Sequence, residues 1–347
     1  MYVGVNKMHV EITDCWDKWL NGFAEEKKDI YFREAYVKRY SSDGATPLCI
    51  ICCEKDKTLI MPFLRKSIGD FYDFETAYGY GGPISNTDDS GWIRDALNET
   101  AEHFTSNRYL CGFIRFHPFL HNAESCAESM KVLFDRNTVY IDTEKTEEQI
   151  WMGQISSKNR NMIRKAEKNG LVYSTEWEFE SLDEFVCLYN NTMRRLNAES
   201  FYYFDNEYYK GMASECHNQM FLGTVRKDGR MICGALFLLD GIYGHYHLEG
   251  SDHDFSALGA NNLLLWCAAK EMHKRGVKKF HLGGGYDQSL DNSLLKFKKA
   301  FSPYQEKFYI GKWIFNQNEY DRICSQWEKD NPDKIQAFGN RLLKYRY

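Results

Sequence analysis

Proline is scarce, at 6 of 347 residues, and the 25 glycines follow no triplet period. That excludes a collagen-like chain or a proline-rich linker. No apolar run reaches the ~18 residues needed to cross a bilayer. Met1 to Asn6 lack the layout of a secretory leader, so the expectation is a cytoplasmic protein. Positive charge is not in excess: 44 Lys and Arg face 49 Asp and Glu, a formal net charge of −5. A surface coated for bulk nucleic-acid binding is excluded, although a local basic groove is not. The 11 cysteines are odd in number and form no framework. Cys49 and Cys52 make a C-x-x-C, but no second such pair or H-x-x-H completes a zinc site. With Cys53 they read as small hydrophobes of a buried strand. No metal site is expected.

What is present in quantity is aromatic: 8 Trp, 23 Tyr and 23 Phe, or 16% of the chain. With 43% hydrophobic residues the chain can bury real cores, and its length fits two domains. Near-helical spacing of Trp16, Trp19, Leu20, Phe23, Ile30 and Tyr31 predicts helix within 11–40. Apolar runs at 47–54 and 58–66, around Lys55-Asp56-Lys57, predict a hairpin. An aromatic, glycine-rich turn comes next at 78–83, then helix at 92–104 and strands at 109–116 and 131–142. The polar 143–148 segment is the expected domain boundary. Beyond it, helix is predicted over 151–170, with the cations Lys158, Arg160, Arg164, Lys165 and Lys168. A solvated face explains such a run as readily as a ligand does. Strand, two helices, a hairpin across Lys227-Asp228-Gly229, strand, helix, strand, helix and strand complete the second part. The first part has a partly similar order, a hint of duplication.

Three segments are candidates for chemistry. Gly259, Ala260, Asn261 and Asn262 open a helix, where free N–H groups and the dipole favour an anion such as a pyrophosphate; capping alone accounts for them equally. In strand 243–249, alternation puts Tyr243, His245, His247 and Glu249 on one face and Gly244, Tyr246 and Leu248 on the other. Two histidines on one face admit a metal, but no third ligand is placed. Finally, Gly283, Gly284 and Gly285 come directly after a strand and match neither a Walker A loop nor a G-x-G-x-x-G. They precede Phe297-Lys298, where a cation beside a tight backbone turn suits a developing acyl oxyanion.

Four pieces in this order carry a resemblance: residues 157–170, residues 189–195 with Thr192 and Arg195, Tyr246-His247-Leu248-Glu249-Gly250-Ser251, and residues 280–301. Together with the 78–83 turn they resemble the FemAB-like branch of the GNAT acyltransferase superfamily. This branch includes the peptidoglycan cross-bridge aminoacyltransferases and the BioF2-like acetyltransferases. The resemblance implies an α/β (α+β) chain of two tandem GNAT-like domains, with mixed, mostly antiparallel sheets flanked by helices. The expected division is 1–145, with 316–347 returning to it, and 146–315 carrying the transfer site. It implies catalysis by Lys298, with Tyr246 or His247 assisting proton movement. It implies substrate binding by Arg195; Tyr202, Phe297, Gly284, Gly285 and Tyr80 are the further expected substrate contacts, and the helix start at residues 259–262 is the expected donor site. No long charged heptad stretch is present, so this would be an armless form. Ser256 and Asn261 stand where the usual CoA loop has Gln or Arg and a small residue.

The expected activity is transfer of an aminoacyl or acyl group onto an amine of a nucleotide- or lipid-linked envelope precursor. No Ser-His-Asp or Cys-His pattern is readable, so transfer without an acyl-enzyme is expected. The donor would be charged tRNA or acyl-CoA, with no tightly bound cofactor and with peripheral membrane contact admitted. The alternatives are an acyl-CoA-dependent N-acetyltransferase for a small amine or amino sugar, and a non-catalytic binding module.

Overall fold

The computed structural model describes residues 8–41, 44–289 and 291–347. Met1 to Asn6, read above for a leader, lie outside the described residues. The strands are β1 (His9–Thr13), β2 (Thr46–Glu54), β3 (Lys57–Ile68), β4 (Phe71–Glu75), β5 (Ile84–Ser85), β6 (Tyr109–Arg115), β7 (Lys131–Asp142), β8 (Val172–Glu176), β9 (Met220–Lys227), β10 (Arg230–Asp240), β11 (Tyr243–Ser251), β12 (Lys279–Gly284) and β13 (Gln305–Ile314).

The chain divides into two compact units, Met1–Asp135 with Phe308–Tyr347, and Arg136–Lys307. The first division therefore falls inside β7 rather than in the polar 143–148 segment. Pairing decides this: from Thr138 onward β7 is laddered to β12, whose strand belongs to the second unit.

In the first unit β1, β2, β3 and β4 pair antiparallel in sequence order. β4 then pairs parallel with β6, and β6 antiparallel with β13. A parallel pair needs a crossover, and the helix Ser90–Ser106 lies on that connection. Its buried face (Trp92, Ala96, Leu97, Phe104) packs with Phe63, Phe74 and Tyr109 of the sheet. The helix predicted within 11–40 is instead the end of β1 followed by five single-turn helices, Asp17–Leu20, Glu25–Lys27, Ile30–Phe32, Glu34–Val37 and Lys38–Tyr40. One carboxylate organises them: Glu34 accepts from the backbone N–H groups of Trp16 and Asp17 at 2.5 and 2.7 Å.

The second unit repeats the pairing scheme. β8, β9, β10 and β11 pair antiparallel, β11 pairs parallel with β12, and β12 pairs antiparallel with β7. The crossover helix is Ala260–Lys274, and its Leu263, Leu264, Ala268 and Met272 fill the core with Phe221, Phe237 and Phe280. The predicted 151–170 helix is two helices, Glu147–Gly153 and Ser157–Lys168. Two competing caps break it. Thr146 and Gln149 form a capping box at the first, and Ser156 caps the second by accepting from Asn159 N–H.

Candidate functional site

The site of the second unit is set by how β11 meets β12. Their parallel ladder holds only three residue pairs, from Tyr243↔Lys279 to His245↔His281. β11 continues to Ser251 with β10 as its ladder partner, while β12 stays on β7 as far as Gly284. Tyr246 and the residues after it therefore lie along an edge that β12 no longer covers.

A β-bulge lies at the start of that edge. Leu236 faces Leu248, but Phe237 faces Tyr246, so His247 is the extra residue. A bulge breaks strict alternation and re-aims the side chains beyond it. Gly244 lies against Met272 of the crossover helix, and Tyr246 stacks on Phe237 over the same core. Past the bulge Glu249 is on this face too, accepting from the Asn261 side-chain amide at 3.1 Å. His247 faces the other way and meets the Tyr208 hydroxyl through Nε2 at 2.9 Å. Gly250 also faces away from the crossover helix, and a Cβ there would lie 2.7 Å from the Tyr189 backbone. The alternation reading, which grouped Glu249 with His247 and separated it from Tyr246, is thus corrected by one inserted residue.

Lys298 joins this face from the helix Ser293–Lys299. Its side chain is buried; Nζ donates to the Gly284 carbonyl at 2.8 Å and stands 6.0 Å from the Tyr246 ring centroid. Burial pulls its ammonium from 10.5 down to about 7, Glu249 pulls it back up, and Arg136 adds to the lowering. Burial holds the Glu249 carboxyl above its ordinary value, opposed by hydrogen bonds from Ser251 and Asn261 and by the charge of Arg195. Burial, with Glu249 beside it, keeps Tyr246 a phenol well above its usual range. The Cys233 thiol donates to the Asn261 amide oxygen at 3.2 Å and is likewise held well up by burial and Glu249. A thiol so held is a poor nucleophile. On the opposite face burial, with His245 second, drops His247 to about 3, so it is a neutral imidazole.

The triple glycine gives Lys298 its acceptor. Gly283 has φ +78, a left-handed conformation suited to glycine. A Cβ at Gly284 would meet Arg136 Cδ and the Asn137 carbonyl at 2.9 Å, and one at Gly285 would meet the Asn292 side chain at 2.6 Å. Asn292 caps the Lys298 helix, and Arg136 donates to the Gly285 carbonyl at 2.7 Å. The turn is therefore closed by protein atoms, and its glycines position Lys298.

The other candidates sit apart from this cluster. Phe297 packs on the core and meets Phe301 edge-on. Arg195 is exposed at the last turn of the helix Leu182–Arg195 and reaches Glu249 only through its charge. Tyr202 is exposed, and its carbonyl accepts from the Tyr189 hydroxyl at 2.9 Å. Tyr80 belongs to the first unit, where it meets Tyr31 and Phe308 edge-on at 5.4 and 5.2 Å. Gly259 is left-handed at φ +82, and a Cβ there would lie 2.7 Å from the Met162 carbonyl. Close approach of the helix Ser157–Lys168 accounts for that glycine. Asn262 donates to Asn159 at 3.1 Å, so both asparagine side chains are engaged within the protein. The N–H groups of Ala260, Asn261 and Asn262 precede the first intrahelical bond, Leu263 N–H to the Gly259 carbonyl.

Sequence reasoning did not select Glu249, Cys233, Arg136 or Asn292. The available signal was a carboxylate inside a strand next to glycine, where an acid is costly unless it has partners.

Residues 156–299 match the family model of an acetyltransferase (GNAT) domain. Among solved structures, that of FemX is similar with a TM-score of 0.72 and 15% identity, covering 90% of this chain and 99% of that chain. The C-terminal domain (DUF2156) of a putative lysylphosphatidylglycerol synthetase from Agrobacterium fabrum gives 0.58 at 14% identity, covering 88% and 91%. A tandem GNAT protein from the clavulanic acid biosynthesis pathway gives 0.54 at 7% identity, covering 89% and 99%. No curated protein matches the sequence.

Proposed function

We propose that this chain, a GNAT acyltransferase with the FemAB-like tandem fold, moves an acyl or aminoacyl group onto an amine of a lipid- or nucleotide-linked envelope precursor. One observation carries the chemistry: Tyr246, Glu249 and Lys298 share one face of the β11 edge that β12 leaves uncovered. The envelope acceptor rests on the FemAB-like resemblance and on the lysylphosphatidylglycerol synthetase named among the similar structures.

Amine acylation needs a free amine, an electrophilic carbonyl and a place for charge on the acyl oxygen. The Glu249 carboxylate takes the proton from the acceptor ammonium. The amine then attacks the acyl carbon, and the C–N bond forms as charge builds on the oxygen. Lys298, in its protonated form, faces that oxyanion. Collapse expels the donor's oxygen or sulfur, which leaves with the proton that the attacking nitrogen loses as the amide forms. The thiol beside Glu249, Cys233, is held neutral, which favours direct transfer over a thioester intermediate.

Acyl-CoA as donor is a second reading, supported by the N–H groups that precede the first intrahelical bond of the helix Ala260–Lys274. The test incubates purified protein with acyl-CoA or charged tRNA and candidate amine acceptors and reads products by mass spectrometry. A product of wild type that falls at least about a hundredfold with Lys298→Ala supports the reading. Transfer unchanged by that substitution removes Lys298 from the chemistry, and no transfer from any donor favours a binding module.

A further inference from the structure

β8 is an edge strand of the second unit: among the described residues its one ladder partner is β9. Alternate residues of an antiparallel strand aim their N–H and C=O groups away from the partner. The outer rim of β8 therefore carries backbone groups with no ladder to join. Natural edges are blunted by proline, lysine, a bulge or a covering element. β8 reads Val172-Tyr173-Ser174-Thr175-Glu176, with neither proline nor lysine. Its register with β9 runs from Val172↔Arg226 to Glu176↔Leu222 without a shift. One face of the strand is open as well, since Ser174 is exposed and Val172 is 62% exposed. On the other face Tyr173 packs on the core and accepts from the Thr175 hydroxyl at 3.0 Å.

Charge selects what fits this edge. The chain just before the strand is basic, with Arg164, Lys165 and Lys168 against Glu167. The chain from 176 to 184 is acidic, with Glu176, Glu178, Glu180, Asp183 and Glu184 and no cation. The fold already uses several of these groups. Lys165 donates to the Ala257 carbonyl, Glu176 accepts from Ser181 N–H, Glu178 lies 3.5 Å from His217, and Glu184 pairs with Arg226. Lys168 and Glu180 are exposed, and neither is in an ion pair among the described residues. Antiparallel pairing of two copies about Ser174 sets residues equally far before and after it opposite each other. Val172 of one copy then faces Glu176 of the second, and the Lys168 end of each faces the Glu180 end of the other. A parallel pairing would bring like ends together. β1, an edge strand of the first unit, has Glu11 at its centre, so the same arrangement there would oppose two carboxylates.

We propose that β8 pairs with β8 of a second copy of this chain, antiparallel about Ser174, with Lys168 and Glu180 setting the register. The strand has 5 residues and spans about 17 Å. The contact is therefore small and the dimer weak, with a Kd on the order of 10 µM.

The test is sedimentation velocity on the full chain, a decade below and a decade above that concentration, in low and high salt. Expected is a monomer–dimer equilibrium that weakens as salt rises. Ser174→Lys sets two ammonium groups face to face at the axis and is expected to raise Kd at least tenfold. Lys168→Glu and Glu180→Lys are each expected to raise it severalfold. Mixed in equal amounts, those two variants supply each other's missing charge and are expected to associate about as tightly as wild type. That recovery also shows that both are folded. A monomer throughout the range, a dimer indifferent to Ser174→Lys, or mixed charge variants that associate no more tightly than either alone overturns the proposal.

Discussion

Lys298 is the residue at which the acid–base state of the site is readable from outside. Its folded pKa lies near 7 and its unfolded value near 10.5. Between those values the unfolded chain holds a proton that the folded chain has released, so this group makes stability rise with pH from about 7 toward 10.5. Below pH 7 both states are protonated and its contribution is flat. Lys298→Met removes the titration while keeping an apolar stem. Urea unfolding at pH 7 and at pH 9.5 is expected to show wild type gaining roughly 1–3 kcal/mol more than the variant. Equal gains would mean that Lys298 is solvated. His247 acts on the acid side, since its pKa falls from 6.5 to about 3. The unfolded chain binds that proton first, and stability drops as pH falls from 6.5. His247→Gln is expected to flatten the loss between pH 6.5 and 4.5 by roughly 1–2 kcal/mol in the same assay.

At the scale of elements, the β11 edge works because a helix can lie directly on its backbone. Gly250 lets the helix Leu182–Arg195 approach, and Thr192 closes the contact: its hydroxyl accepts from Ser251 N–H at 2.9 Å and donates to the Ser251 carbonyl at 3.1 Å. Gly250→Ala would push the helix off the strand, with an expected cost of about 1–3 kcal/mol by thermal or urea unfolding. Gly153→Ala, where the added Cβ meets nothing within 4 Å, is the control and should be neutral or mildly stabilising. The same elements show what the sequence conveys. The β2–β3 hairpin, the crossover helix Ala260–Lys274 and β12 running into three glycines were legible, because period and turn chemistry agree there. The face of Glu249 was not, because strict alternation assumes a ladder without insertions and nothing local marks His247 as the extra residue. The split of the predicted 151–170 helix was missed for a related reason: apolar spacing continues through Ile150, Ile155 and Ile163, while Ser156 restarts the helix. Lys298 is a candidate through its motif, but its burial and its Gly284 partner depend on a turn closed by Arg136, which lies 149 residues before Gly285 in the chain.

At the scale of the whole molecule, the first unit is assembled from two stretches far apart in sequence, 1–135 and 308–347. Arg346 donates to the two carboxylate oxygens of Asp73 at 3.0 and 2.7 Å, and Asp73 is 1% exposed. Tyr345 meets Cys111 at 3.2 Å, and Lys344 pairs with Glu328. Removing one partner of a buried pair leaves the other charge stranded. Arg346→Ala is therefore expected to cost about 2–3 kcal/mol by urea unfolding, with Asp73→Asn in the same chain recovering part of it. Full additivity of the two substitutions would show that the pair contributes nothing.

Residues 308–347 belong with 1–135, whereas 136–307 form a contiguous unit. On the ribosome, where chains emerge from the N-terminus and domains fold as units, the usual order is inverted. The later-synthesised unit is complete once residue 307 has emerged. The earlier one must wait, short of most of β13 and of the Arg346–Asp73 pair, until residues 308–347 have emerged. Nascent chains from which residue 307 has just emerged should therefore protect the 136–307 unit from protease while the N-terminal strands remain cleavable.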